Sequence, residues 1–404
     1  MCETSIASEI AVTTGSDQPR ALQLGPACTA VVLKVTSRCN LNCSYCYVYN
    51  MGDDGWRTEP VVMSREIASA AIARVAEHAY DHQLGHFQFV FHGGEPLLVS
   101  PDFYAWFVAE ARHSLEPTVR TSFTLQTNAA LLTRRWAQDL LTLGVRVGVS
   151  LDATRASHDR ARVDHKGRGS YERALRGLQN ARAAGLTPGL LIVVDPATDP
   201  DEVFEHIAGL APRTIDFLLP QATWDNPPDC AVAGEYGAWL LRIFARWAAE
   251  PVPPFSIRLF ENIIRTVLGR PRDYDALGPG RNATLTIETG GSIEPADVLR
   301  VCENGFTRRG LSVLAHSLDE ALADPLMQAY YYGAERLSVI CRACRVADLC
   351  AGGYLPHRYR RGSGFDNPSV YCSDLEALTS AIQSWTVAQL TAEVRAELGI
   401  RALA

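Results

Sequence analysis

Between residues 30 and 219, short apolar runs alternate with longer amphipathic segments, and this alternation admits few architectures. Strands are expected over residues 30–35, 87–91, 121–126, 145–150, 190–194 and 214–219. Helical segments are expected between them over 64–78, 102–114, 133–143, 170–184 and 201–210. Strands separated by helices form a parallel sheet with right-handed crossovers. Six such units fall short of a closed eight-strand barrel, so the sequence predicts an α/β fold built on an open, partial (β/α)6 barrel. Chemistry then belongs at the C-terminal ends of the strands.

Directly after the first strand stands Cys39-Asn-Leu-Asn-Cys43-Ser-Tyr-Cys46. Offsets of four and three could also place the thiols on one face of a buried helix. Asn40, Asn42 and Ser44 compete with helical hydrogen bonding, which favours a loop. Three thiolates on a loop can hold three corners of a [4Fe–4S] cube and leave one iron open for a ligand. The second strand ends in His92-Gly93-Gly94-Glu95-Pro96, where two glycines let backbone approach a ligand and a carboxylate can receive an ammonium group.

The 404 residues carry a formal net charge of −7, with Lys34 and Lys166 the only lysines, which argues against bulk binding to nucleic acid or anionic membrane. No apolar run approaches the ~18 residues of a membrane span, and no secretory pattern opens the chain. A cytoplasmic location is expected, where eleven cysteines favour metal ligation over disulfides.

The cysteine loop after a first strand resembles the radical S-adenosylmethionine (SAM) superfamily, and the GGEP element at residues 93–96 strengthens the likeness. The resemblance spans residues 30 to about 220. It implies that the open iron binds SAM, that Tyr45 lies near the adenine, and that Gly93, Gly94, Glu95 and Pro96 receive the methionyl amino group. Asn128 ends strand three, and Ser150-Leu-Asp152 ends strand four. By resemblance Ser150 and Arg162 contact the SAM ribose and carboxylate, with Arg160 also eligible, and Ile192 and Val193 could pack on the adenine. Ala153 stands where the family usually has glycine.

A second group, Cys341, Cys344, Cys350 and Cys372, supplies four thiolates, a set that suits structural zinc or a second cluster. Its spacing resembles the SPASM domain of peptide-modifying radical SAM enzymes, which binds auxiliary [4Fe–4S] clusters. Two ligands of the two-cluster form are absent: Tyr354 and the Gly291–Ala296 stretch occupy their places. One auxiliary cluster, closed by Cys341, Cys344, Cys350 and Cys372, is therefore expected in addition to the SAM-binding one. Cys302 is expected to pack, and Cys2, Cys28 and Cys230 to be structural or exposed.

The segments 350–359 and 364–372 further resemble single-auxiliary-cluster maturases that build three-residue cyclophanes in ribosomal peptides, joining an aromatic ring carbon to a β-carbon two residues on; residues 293–300 do so less sharply. The resemblance implies a precursor peptide substrate and an external one-electron donor such as flavodoxin or ferredoxin. Rearomatisation needs a base, and Asp297, Asp216 and His357 are candidates by type. Thioether formation, epimerisation and oxidation of a sulfatase residue to formylglycine are the rivals within the superfamily; a zinc-stabilised, non-catalytic scaffold is the rival outside it. The expected organisation is a tail (1–29), the radical SAM partial barrel (30–235), a bridging region (236–280), the SPASM-like domain (281–380) and a C-terminal helix (381–404). The 38 residues before Cys39 are too few for an added winged-helix leader-binding domain, so the barrel, the SPASM region or another protein is expected to recognise the peptide.

Overall fold

The computed structural model describes residues 26–229, 232–270 and 274–397; Cys2, Cys230 and most of the expected N-terminal tail lie outside them. The expected strands form, in sequence order: β1 (Ala30–Thr36), β2 (His86–Gly93), β3 (Arg120–Thr127), β4 (Val145–Ser150), β5 (Gly189–Val193) and β6 (Thr214–Leu218). Each pairs in parallel with the next. Crossing between them are α1 (Arg65–Asp81), α2 (Pro101–Leu115), α3 (Arg134–Leu143), α4 (Arg155–Ala161) with α5 (Tyr171–Ala183), and α6 (Pro200–Leu210). The strands and their crossing helices form the α/β, open partial-barrel arrangement that the alternation predicts.

The sheet extends beyond six strands at both edges. After α7 (Glu235–Ala249), the two-residue β7 (Ser256–Ile257) pairs with β6 and leads into α8 (Arg258–Val267). At the other edge β8 (Thr284–Ile287) pairs in parallel with β1, and β9 (Ile293–Glu294) turns back antiparallel. The nine-stranded order is β7-β6-β5-β4-β3-β2-β1-β8-β9. Residues 284–294, expected to lie in the cysteine-rich region, thus cover the open edge of the first strand, a common means of protecting an unpaired ladder.

Strand periodicity separates core from cavity. In β2, Phe87, Phe89 and Phe91 face the helices, where Phe89 stacks on Phe123 at 5.6 Å and Phe91 meets Phe107 edge-on at 5.2 Å. Gln88, Val90 and His92 alternate to the opposite, concave face, where they line its cavities. Buried aromatic rings thus anchor the outer layer while the bore stays partly polar.

Short helices α9 (Leu318–Leu322), α10 (Pro325–Tyr331), α11 (Val339–Arg342) and α12 (Ala347–Cys350) precede α13 (Cys372–Ala388). α13 returns to the barrel against α7 and α8. Trp385 meets Phe244 edge-on at 5.6 Å, and Asp374 Oδ1 accepts from Gly237 N–H at 2.7 Å. Tyr371 Oη donates to Pro220 O at 2.9 Å, which ties the second cysteine group to the exit of β6. Among the described residues no helix is long and apolar enough to cross a membrane.

A Cβ at Gly237 would lie 2.7 Å from Asp374 Cα, so the α7–α13 contact has no room for a side chain. Gly237→Val is expected to lower unfolding free energy by about 1–3 kcal/mol, read as a lower denaturation midpoint; an unchanged midpoint would show this contact to be loose.

Candidate active site

The segment after β1 is loop and turn through Asn50, with no helix. It is pinned from below: Asn42 N–H donates to Val163 O (2.7 Å), Ser44 N–H donates to Ala161 O (2.9 Å), and Asn50 Nδ2 donates to Cys43 O (2.8 Å). Cys39, Cys43 and Cys46 all face one cavity of about 430 Å³ at the C-terminal strand ends. Burial pushes the Cys39 thiol up to about 12 and that of Cys43 to about 11, and the neighbouring thiols add to it. Three clustered thiols of this kind ionise readily only when a cation displaces their protons, which fits an iron–sulfur donor set.

The glycine pair is a packing requirement. A Cβ at Gly93 (φ +143°) would stand 2.4 Å from Thr36 O, and one at Gly94 would stand 2.1 Å from both Arg38 O and Tyr49 Oη. The end of β2 therefore presses against the entry of the cysteine loop, and both glycines line the cavity. The Glu95 side chain is turned into the protein. Its buried carboxylate accepts from Leu97 N–H (3.0 Å), Thr127 Oγ1 (2.7 Å) and Asn128 N–H (2.9 Å), which turns it beneath the loop. Burial raises it to about 7 in spite of those donors. Glu95 and Pro96, both buried, brace the β2–β3 corner; of the expected ammonium-binding set, only the glycines line the cavity.

Arg162 faces the cavity and is 7 % exposed, whereas Arg160 pairs with Asp195 on the wall of an adjoining groove. Asp152 holds Arg162 through Nε (3.0 Å) and Nη2 (3.3 Å). It also accepts from Tyr45 Oη (2.5 Å) and from Val193 N–H (3.1 Å). The Arg162 guanidinium lies 5.3 Å from the centre of the Tyr45 ring. Asp152 is the organising residue that the sequence reading quoted without assigning a role; its place two residues after Ser150, at a strand end, is the signal that could have found it. Ser150 Oγ accepts from Gln126 Nε2 (2.8 Å) and Asn128 Nδ2 donates to Asn40 Oδ1 (2.8 Å), both at the cavity wall with Val193. Ile192 alternates into the core. An adjoining groove of about 700 Å³ shares Tyr45, Val193, Pro220 and Gln221 with the cavity.

The three candidate bases separate sharply. Burial raises the Asp297 carboxyl, but Lys34, His92 and Arg300 outweigh it and hold the group well below the usual carboxylate range. Asp297 is closed in by an ion pair with Lys34 and a hydrogen bond from Tyr47 Oη (2.8 Å), which makes it a poor proton acceptor. His357 is buried away from the cavity, edge-on to Tyr354 (5.5 Å) and Tyr371 (4.9 Å), and burial pushes it down to about 3. Asp216, 2 % exposed, does line the cavity; burial raises it to about 7 against the opposing charge of Arg258, whose Nη1 is 3.3 Å away.

The second cysteine group comes from three helices: Cys341 in α11, Cys344 just beyond it, Cys350 ending α12 and Cys372 opening α13. Burial lifts the Cys350 thiol to about 12, and Cys372, Cys341 and Cys344 are close enough to raise it further. Among the described residues, no three of these sulfurs lie within 4.8 Å of one another, and the same is true of Cys39, Cys43 and Cys46. A single zinc with Zn–S bonds of about 2.3 Å would hold its sulfurs about 3.8 Å apart. Cys302, Ala296 and Leu355 belong to a satellite apolar cluster, with Tyr354 and Tyr47 packed against it; Cys302 packs there as expected. Cys28 is also buried, with its N–H donating to His78 Nε2 at 2.9 Å.

Residues 33–210 match the model of the Radical SAM superfamily. The matched residues run from β1 through α6 and carry the three-cysteine loop and the glycine pair. The chain is 22 % identical over 363 residues to a cysteine-type anaerobic sulfatase-maturating enzyme of Clostridium novyi, a match covering 86 % of this chain and 93 % of that one. Its fold superposes on the AdoMet-bound structure of the enzyme anSMEcpe with a TM-score of 0.78 at 20 % identity, covering 89 % and 98 % of the two chains. The structure of Streptococcus suis SuiB bound to its precursor peptide SuiA is more distant, with a TM-score of 0.56 at 13 % identity and coverage of 85 % and 76 %.

The raised Asp216 has a stability consequence. Its folded value of about 7 exceeds the ordinary 3.8, so the protonated group stabilises the fold fully below about pH 4, and that contribution is lost as pH rises through 7. Relative to Asp216→Asn, the wild-type protein is expected to lose up to about 1.4 kcal/mol per pH unit across this window. Urea unfolding at pH 5 and pH 7.5 measures it; a pH-independent difference between the two proteins would contradict the assignment.

Proposed function

We propose that this enzyme modifies a ribosomally made precursor peptide by joining an aromatic ring carbon to the β-carbon of a residue two positions onward. The observation carrying this reading is the packing of Ala296 and Tyr354 with one apolar cluster at the two positions where a two-cluster enzyme has ligands. Four thiols then remain, a number that closes one auxiliary [4Fe–4S] cluster and leaves it no open iron.

With SAM, a cluster on Cys39, Cys43 and Cys46 would supply a 5′-deoxyadenosyl radical, which removes a hydrogen atom from the substrate β-carbon. The carbon radical adds to the ring, and rearomatisation releases one proton and one electron, so the peptide loses two hydrogens in all. Asp216 is the group in the cavity whose proton affinity suits taking that proton near neutral pH. Cys341, Cys344, Cys350 and Cys372 would hold a closed cluster, which would supply an acceptor for that electron, and a flavodoxin- or ferredoxin-like donor would supply the electron that starts the reaction. The groove beside Tyr45 and Gln221 gives an extended peptide a route to the cavity.

A second reading, oxidation of a cysteine or serine in a sulfatase to formylglycine, is favoured by the similarity to sulfatase-maturating enzymes over most of the chain. Incubation with reductant, SAM and candidate aromatic-containing peptides distinguishes the two. The crosslink reading expects 5′-deoxyadenosine and a product lighter by two hydrogens that does not react with hydrazides and requires no substrate cysteine or serine. A hydrazide-reactive aldehyde would establish the second reading instead. Cys350→Ala is expected to keep uncoupled SAM cleavage and to abolish the crosslink.

Metal analysis of the anaerobically reconstituted protein tests the cluster assignment. About eight irons with matching acid-labile sulfide are expected per chain; about four irons with one zinc would overturn the auxiliary cluster.

A further inference from the structure

We infer that Tyr354 and Tyr47 form a built subsite for an aromatic side chain of the substrate. The inference rests on the peptide-crosslinking reading and deepens it by naming the surface that holds the ring.

Both tyrosines line the cavity with Cys39, Cys43 and Cys46, and both are half-buried, so ring surface remains open at its wall. Tyr354 is held from three sides. The chain reaches it through three successive left-handed residues, Ala351 (φ 48°), Gly352 (φ 79°) and Gly353 (φ 69°), a turn that aims residue 354 back toward the barrel. His357 meets its ring edge-on at 90°, and its hydroxyl faces that of Tyr330, which donates to Asp275 at 3.0 Å. Tyr47 is fixed by its 2.8 Å hydrogen bond to Asp297, and the Lys34 ammonium lies 5.6 Å from its ring centre.

Behind this wall Phe306, Tyr359 and Phe365 pack edge-on at 5.1–6.2 Å within or against the satellite cluster. The backing leaves the tyrosines little freedom to collapse into the cavity. Val298, Leu218 and Leu219 complete an apolar surround. A preorganised wall of ring faces and edges prefers another ring to an aliphatic chain of equal size, because edge-to-face contacts add attraction beyond area burial. The residue that replaces a cysteine of the two-cluster pattern is thereby the one that selects the substrate.

The test uses the reconstituted holoenzyme with SAM, and ligand-observed NMR titration of N-acetyl-phenylalanine methylamide against N-acetyl-leucine methylamide. The aromatic probe is expected to bind roughly three- to tenfold more tightly. Tyr354→Leu is expected to erase that preference at wild-type iron content with a cooperative unfolding transition retained, and Tyr354→Phe to retain it. Equal binding of the two probes by wild type, or an undiminished preference in a folded, iron-replete Tyr354→Leu, overturns the subsite. The reaction is judged separately by the crosslinked product. A preference that depends on Tyr354 without any crosslink leaves the subsite standing and removes the reaction reading, whereas a crosslink without the preference does the reverse.

Discussion

Asp152 joins parts of the site that are far apart in sequence. Its buried carboxylate receives the Arg162 guanidinium, the Tyr45 hydroxyl and the Val193 amide, linking the cysteine loop, the exit of β4, the segment after α4 and the end of β5. A buried charge pair of this kind is a demanding element. Removing one partner strands the other away from water at a cost of about 3–5 kcal/mol, so the four segments are held in one arrangement. The Tyr45 ring, the Arg162 charge and the cavity mouth they frame follow from that single residue.

A second constraint works by subtraction. Ala296 and Tyr354 offer no thiolate, and apolar and aromatic side chains pack around them. A rigid wall of rings keeps the apolar side of the cavity beside Cys39, Cys43 and Cys46 from collapsing. The four remaining thiols gather from α11, α12 and α13, and α13 docks on α7 and α8, so the packing that positions the second cysteine group is continuous with the barrel.

The six strands were legible because apolar alternation and turn residues are local signals; β4 appears residue for residue at Val145–Ser150. The edge strands were not. β7 and β9 are two residues long, and β8 is recognisable only from its pairing with Ala30–Leu33, which lies more than 250 residues earlier in the chain. The cysteine loop and the glycine pair were visible as motifs, but the direction of a side chain within a motif was not. The Glu95 carboxylate braces the β2–β3 corner, because three donors there reach it.

The sequence by itself determined the order and type of the barrel elements, the two groups of cysteines and the absence of thiols at positions 296 and 354. Each depends on residue identity and spacing alone. Tertiary structure decided which charged groups are available for chemistry. Asp297 and Asp216 are the same residue type, yet Lys34 beside one holds its proton affinity down while burial raises the other toward neutrality. That difference arises from desolvation and from charges brought near by folding, which no local pattern encodes.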